Sequence, residues 1–126
     1  MTPAGRSLTL NTIAHFCVDF GCFVMLFGGF ARFVSDPRYL AVGFVSYNVI
    51  AFGLQPVIGY LVDTHPRVPV SIVGCLFVMA GLLLLPWSWL CLPVCALGNA
   101  CFHVGGGVDS LINAGGRMSR SGIFVS

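Results

Sequence analysis

The pattern of apolar and polar positions divides the chain into four apolar stretches, at about residues 8–33, 39–62, 69–90 and 91–112. Each is about 20 residues or longer, enough for a helix to cross a hydrocarbon core of ~30 Å at ~1.5 Å per residue. Strict alternation of polar and apolar positions over about ten residues, the mark of a membrane barrel strand, is absent. The pattern therefore predicts an all-α, polytopic membrane protein with four transmembrane helices. The breaks suit that reading. Arg32, Asp36, Pro37 and Arg38 close the first stretch, and Asp63-Thr64-His65-Pro66-Arg67 separates the second from the third. Pro86, Trp87, Trp89 and Pro93 mark a turn at a membrane–water boundary, where Trp prefers to sit. Residues 113–122 are polar and Gly-rich, and residues 122–126 begin a fifth apolar run. One domain, 1–126, is expected: the incomplete N-terminal transmembrane part of a longer protein. The first run is longer than the h-region of a signal peptide and contains His15 and Asp19, so a cleaved leader is a poor fit.

The four stretches are not equivalent. The third has no ionisable side chain, and its polar positions before the Trp-rich end are the small Ser71, Gly74 and Gly81. It can face lipid over most of its circumference. The first carries Asn11, His15 and Asp19 at i, i+4 and i+8, one narrow stripe at 100° per residue, followed by Cys22. The fourth carries Asn99, His103, Gly106, Ser110 and Asn113 on one stripe, with Asp109 at its edge. In the second, Asn48, Gln55 and Gly59 share a face. A carboxylate within the bilayer costs several kcal/mol unless it meets protein or water. The first and fourth helices are therefore expected to face an interior or cavity, and the third to lie at the periphery. Asn48, Gln55 and Asn99 can serve as glue between helices. Ionisable groups within a span are functional by default, which singles out Asp19 and His103. Gly105-Gly106-Gly107 is read either as a packing groove or as a flexible break of the kind that marks transporter sites.

Depth along the helices suggests specific pairs. If the first helix is centred near Gly21 and the antiparallel fourth near Phe102, Asp19 lies ~3 Å and His103 ~1.5 Å from the midplane on the same side. On the same rise His15 and Asp109 lie ~9 and ~10 Å from it. Two acid–imidazole pairs are expected, Asp19–His103 and His15–Asp109, as steps of a proton path.

Composition sharpens this reading. The chain is 57% hydrophobic and 8% charged, against about 25% charged for a soluble domain. Its mean hydropathy is +0.95. Six Arg and four Asp give a net charge of +2, with no basic cluster to hold a nucleic acid. With the N-terminus cytoplasmic, Arg6, Arg67, Arg117 and Arg120 face inward and Arg32 and Arg38 outward, in keeping with the positive-inside tendency. Cys17, Cys22, Cys75, Cys91, Cys95 and Cys101 lie in apolar runs without a Cys-x-x-Cys pair, and are read as small packing residues. No phosphate loop or activated nucleophile is present, so no enzyme activity and no cofactor are expected. His15 and Asp19 share a face, but two residues do not make a metal site, and none is expected.

The segment Gly59-Tyr60-Leu61-Val62-Asp63-Thr64-His65-Pro66-Arg67 resembles the signature Gly-x-Leu-x-Asp-Arg-x-Gly-Arg-Arg of the major facilitator superfamily, and it lies in the same loop. Gly59, Leu61, Asp63 and Arg67 match, while Thr64, Pro66 and Val68 depart from the pattern. The run Gly98-Asn99-Ala100-Cys101-Phe102-His103-Val104-Gly105-Gly106-Gly107 looks like a prokaryotic drug-resistance-type branch. The resemblance spans the whole chain, as helices one to four and the linker to a fifth. It implies a secondary active transporter in the cell (inner) membrane, with two six-helix halves around a central site. Such a protein moves a small solute or drug by proton-coupled alternating access. The partners implied are the lipid bilayer, a small-molecule substrate, protons and the C-terminal half of the same transporter. Gly59, Asp63 and Arg67 would form the conformational motif, with Asp63 capping neighbouring loop and helix ends. His15, Asp19, Asn99, His103 and Asp109 would line the substrate and proton pathway. Two rivals remain: a small four-helix multidrug exporter with Asp19 as its shared proton and cation site, and a non-transporting integral membrane protein.

Overall fold

The computed structural model describes residues 2–125, so Ser126 of the expected fifth run lies outside the described residues. Among the described residues every regular element is a helix. Helix α1 runs Pro3–Phe33, α2 Pro37–Thr64, α3 Val70–Leu83, α4 Ser88–Ala114 and α5 Met118–Val125. Three of them, α1, α2 and α4, are long and apolar enough to cross a membrane; α3 is apolar but shorter.

The ends follow from local chemistry. Thr2 caps α1, its hydroxyl accepting from the Gly5 amide at 3.2 Å, with Pro3 at the position that needs no N–H. Asp36 does the same for α2, accepting from the Arg38 amide at 2.8 Å, ahead of Pro37. Pro56 cannot donate to the carbonyl one turn back, and α2 has a local break at Leu54. Gly115, with φ of +60°, ends α4 in the left-handed conformation that glycine adopts without strain. Within α1, residues Val24–Phe30 form a π-helical stretch that contains Gly28-Gly29 and ends at the fully buried Phe30.

Several expected boundaries move. The third stretch yields a helix of only 14 residues, because Pro86 lacks an amide donor and the chain turns over Leu84–Trp87. At ~1.5 Å per residue that is ~21 Å, short of a hydrocarbon core. Residues 88–90 belong to α4 instead. Pro93 does not mark the turn: it lies inside α4, one turn past its start. The polar linker expected at 113–122 is cut short by α5, which begins at Met118.

Helix α4 is the hub, packing against all four other helices. Its tightest partner is the antiparallel α3. Ser71, Gly74, Val78 and Gly81 step along α3 by three, four and three residues, meeting Gly105, Phe102, Gly98 and Cys95 of α4 in reverse order. A Cβ added to Gly98 would stand 2.7 Å from the Val78 amide nitrogen and 2.8 Å from the Gly74 carbonyl oxygen. The helix is continuous through Gly105-Gly106-Gly107, and Gly105 abuts Ser71; this is a packing surface, not a break. Between apolar helices in lipid, close backbone approach supplies the dispersion contacts that hold the pair. The opposite face of α3, with Ile72, Leu76, Met79 and Leu83, is exposed, so α3 lies at the periphery. The cysteines are free; Cys22, Cys91, Cys95 and Cys101 are buried packing residues, and the Cys95 thiol donates to the Val78 carbonyl at 3.7 Å.

Because Gly98 has no room for a methyl group, Gly98→Ala should lower stability by about 1–3 kcal/mol or more. Gly107, which has open space around its Cα, should accept Ala with a gain of up to ~1 kcal/mol. Thermal unfolding in detergent, followed by circular dichroism, checks both; equal midpoints for the two variants would contradict the α3–α4 packing.

Candidate functional site

The polar stripes of α1 and α4 meet near the middle of both helices. His15 and Asp19 project from adjacent turns of α1, the i,i+4 spacing that stacks side chains on one face. His103 reaches them from α4. The Nε2 atoms of His15 and His103 are 3.1 Å apart. His15 Nε2 lies 3.3 Å from Asp19 Oδ2, and His103 Nε2 lies 3.7 Å from Asp19 Oδ1. The two side chains meant to pair across the helices, Asp19 and His103, are thus neighbours.

His15 does not pair with Asp109. Depth along the helix matched them, but rotation separates them: six residues at 100° turn Asp109 about 120° away from His103 around α4. His15 closes onto Asp19 and His103 instead. Asp109 lies with Arg67 in a cavity of about 410 Å³ beneath the α2–α3 loop, lined also by Val62, Ser71, Gly105 and Ile112.

The surroundings fix the rings. His103 Nδ1 lies 3.0 Å from the Asn99 carbonyl oxygen, an acceptor, so this nitrogen carries a proton and donates. In the neutral tautomer His103 Nε2 then presents a lone pair to His15. The His15 ring stacks on Phe124 at a centroid distance of 4.7 Å and on Phe102 at 6.2 Å. Side-chain exposure is 13% for His15, 23% for His103 and 50% for Asp19, so the cluster is walled on one side and open at the carboxylate. A neutral His15 with its proton on Nε2 donates to one of its two neighbours, His103 Nε2 or the Asp19 carboxylate, and leaves the other acceptor unfilled.

Other candidates have different roles. The Asn99 side chain is buried and turned to α2, donating to the Tyr47 hydroxyl at 2.7 Å; only its backbone carbonyl touches the cluster. Tyr47 was not legible as its partner, because a lone Tyr in an apolar run carries no pairing signal. Asn48 and Gln55 donate to their own helix, to the Phe44 and Ala51 carbonyls, and among the described residues they do not bridge helices. Asn113 does bridge, donating to Ser7 of α1 at 3.3 Å. Among the described residues, Asp63 accepts no hydrogen bond and Arg67 makes no ion pair, so the expected capping by Asp63 is not made. Helix α2 continues to Thr64, which puts Asp63 in a last turn where carbonyls are free and amides are not. Gly59 and Thr64 also lie in α2 and not in the loop, Thr64 Oγ1 donating back to the Tyr60 carbonyl at 3.0 Å. The sequence pair His15–Asp19 gains in His103 a third ligand-type group, so the three side chains are also able to hold a metal ion, which two could not.

No protein-family model, no curated protein and no solved structure matches the chain.

Tyr47→Phe should cost about 1–3 kcal/mol, because it leaves the buried Asn99 amide without its acceptor. In the double variant Tyr47→Phe/Asn99→Ala the losses should fall short of additive by ~0.5–3 kcal/mol. A double-mutant cycle by thermal unfolding in detergent checks the pair, and strict additivity would contradict it.

Proposed function

We propose that the chain belongs to a secondary active transporter of the major facilitator type, set in the cell membrane with its N-terminus cytoplasmic. In this reading it moves a small solute or drug by alternating access, driven by protons. The observation that carries the reading is the placement of Asp19 beside two touching imidazoles at mid-height of two long apolar helices. Ionisable groups at that depth are costly and mark ion or proton pathways. The α2–α3 loop motif and the peripheral position of α3 support the same family. The cluster also suits proton handling. Its open side admits a proton or solute to Asp19, and the close His15–His103 contact lets a proton pass from one ring to the other without a large side-chain movement. The cavity holding Arg67 and Asp109 lies on the motif side of α4, where a rearrangement of the loop would be felt.

Asp19→Asn removes the proton acceptor and keeps the shape. In the complete transporter it should abolish proton-driven uptake or export while leaving the protein inserted. Undiminished, pH-dependent transport by this variant would overturn the coupling role. Topology has its own check. In a Cys-free background, Thr64→Cys should label only from the cytoplasmic side and Ser35→Cys only from outside; labelling of position 64 from outside would reverse the orientation.

A further inference from the structure

Two imidazole nitrogens and a carboxylate converge on one point between α1 and α4. The geometry points to a binding site for a divalent first-row transition metal ion, held by His15 Nε2, His103 Nε2 and the Asp19 carboxylate. The spacing is that of ligands around a shared cation. Two ligands each ~2.05 Å from an ion stand ~2.9 Å apart at a right angle and ~3.3 Å apart at the tetrahedral angle. The observed separations from His15 Nε2 are 3.1 Å to His103 Nε2 and 3.3 Å to Asp19 Oδ2, within that range. The third, 3.7 Å from His103 to Asp19, closes with a small rotation of a half-exposed carboxylate.

The orientation of the donors fits as well as their spacing. A metal-bound imidazole commonly donates its other N–H to a carbonyl, which fixes the tautomer and aims the free lone pair. His103 does this through Nδ1 to the Asn99 carbonyl at 3.0 Å. The His15 ring packs against Phe124 at a centroid distance of 4.7 Å, with Phe102 alongside at 6.2 Å. His15 and Asp19 are one turn apart on a single helix, the i,i+4 arrangement by which helices present two ligands to one ion. Imidazole nitrogens select transition metals over magnesium and calcium, which prefer all-oxygen shells. No thiol takes part in the cluster. With three protein ligands, further coordination positions remain on the open side at Asp19, so an ion can reach the site and leave it. One carboxylate offsets half the charge of a divalent ion, and the open side at Asp19 leaves the remaining charge to water or an added anion.

This inference goes beyond the transport reading and does not rest on it. Binding is measured on the chain in detergent, where no transport takes place, so either can fail alone. The probe is Co2+, whose visible absorption reports its ligands. The purified chain should take up one Co2+ with ligand-field bands, and added Zn2+ should displace it. His15→Ala, His103→Gln and Asp19→Asn should each weaken Co2+ binding by about 100-fold, at the upper end of what loss of even an outer-shell partner costs. His65→Ala, in the exposed α2–α3 loop, should leave binding unchanged. Absence of stoichiometric binding, or equal binding by the three cluster variants, would overturn the site. So would an intense near-ultraviolet thiolate band, which would assign the ion to the cysteines. X-ray absorption of the Zn2+-loaded unaltered chain decides the matter if a variant fails to fold. Two imidazoles and oxygen without sulfur support the site, and a sulfur shell or fewer than two imidazoles refutes it.

Discussion

Where α3 and α4 cross, Gly98 sits so close to the backbone of Gly74 and Val78 that it has no space for a single methyl group. The arrangement of the other helices depends on that contact. Apolar helices gain dense dispersion contact where their backbones approach this closely. The small residues of α3 and α4 supply the approach and fix the rotation of α4 about its axis. With one face of α4 committed to α3, the stripe of Asn99, His103, Gly106, Ser110 and Asn113 turns toward α1, α2 and α5. From that rotation follow the Asn99–Tyr47 bond, the bridge from Asn113 to Ser7, and the meeting of His103 with His15 and Asp19.

The three-residue cluster shows how polar chemistry is tolerated inside so apolar a chain. Asp19 alone on α1 would be a costly group, and His103 alone on α4 would need a partner. Brought together, with His103 anchored by the Asn99 carbonyl and His15 by two Phe rings, each side chain supplies what another lacks. One proton on His15 Nε2 fills only one of its two neighbours, and an ion held as proposed by all three side chains would take that proton's place.

Much of this was legible in the sequence, and the failures have physical causes. Helix type, the end of α1 at Phe33 and the peripheral place of α3 follow from the apolar pattern, the charged breaks and the lack of ionisable groups in the third stretch. The stripe His15–Asp19 and its approach to His103 follow from helical period and depth. The His15–Asp109 pairing fails because depth fixes height along a helix and not direction around it. The short α3 and the interior Pro93 show the same residue type acting in opposite ways. Pro86 falls where the chain turns, while Pro93 sits inside a helix held on several sides by neighbours. Gly105-Gly106-Gly107 allowed two readings until the position of Ser71 settled it. The π-helical stretch Val24–Phe30 left no sign in the pattern, since its residues are as apolar as those around them.

Helices α1 and α4 bring His15 and His103 into direct contact, and the chain has only one other histidine, His65. Nitrogen-15 NMR of the histidine-labelled, metal-free chain in lipid bicelles tests it directly. His103 should be protonated at Nδ1, and a through-hydrogen-bond coupling should link its Nε2 to that of His15, with His65 behaving as an exposed loop residue. Spectra in which all three histidines resemble His65, with no coupling between any two, would contradict it.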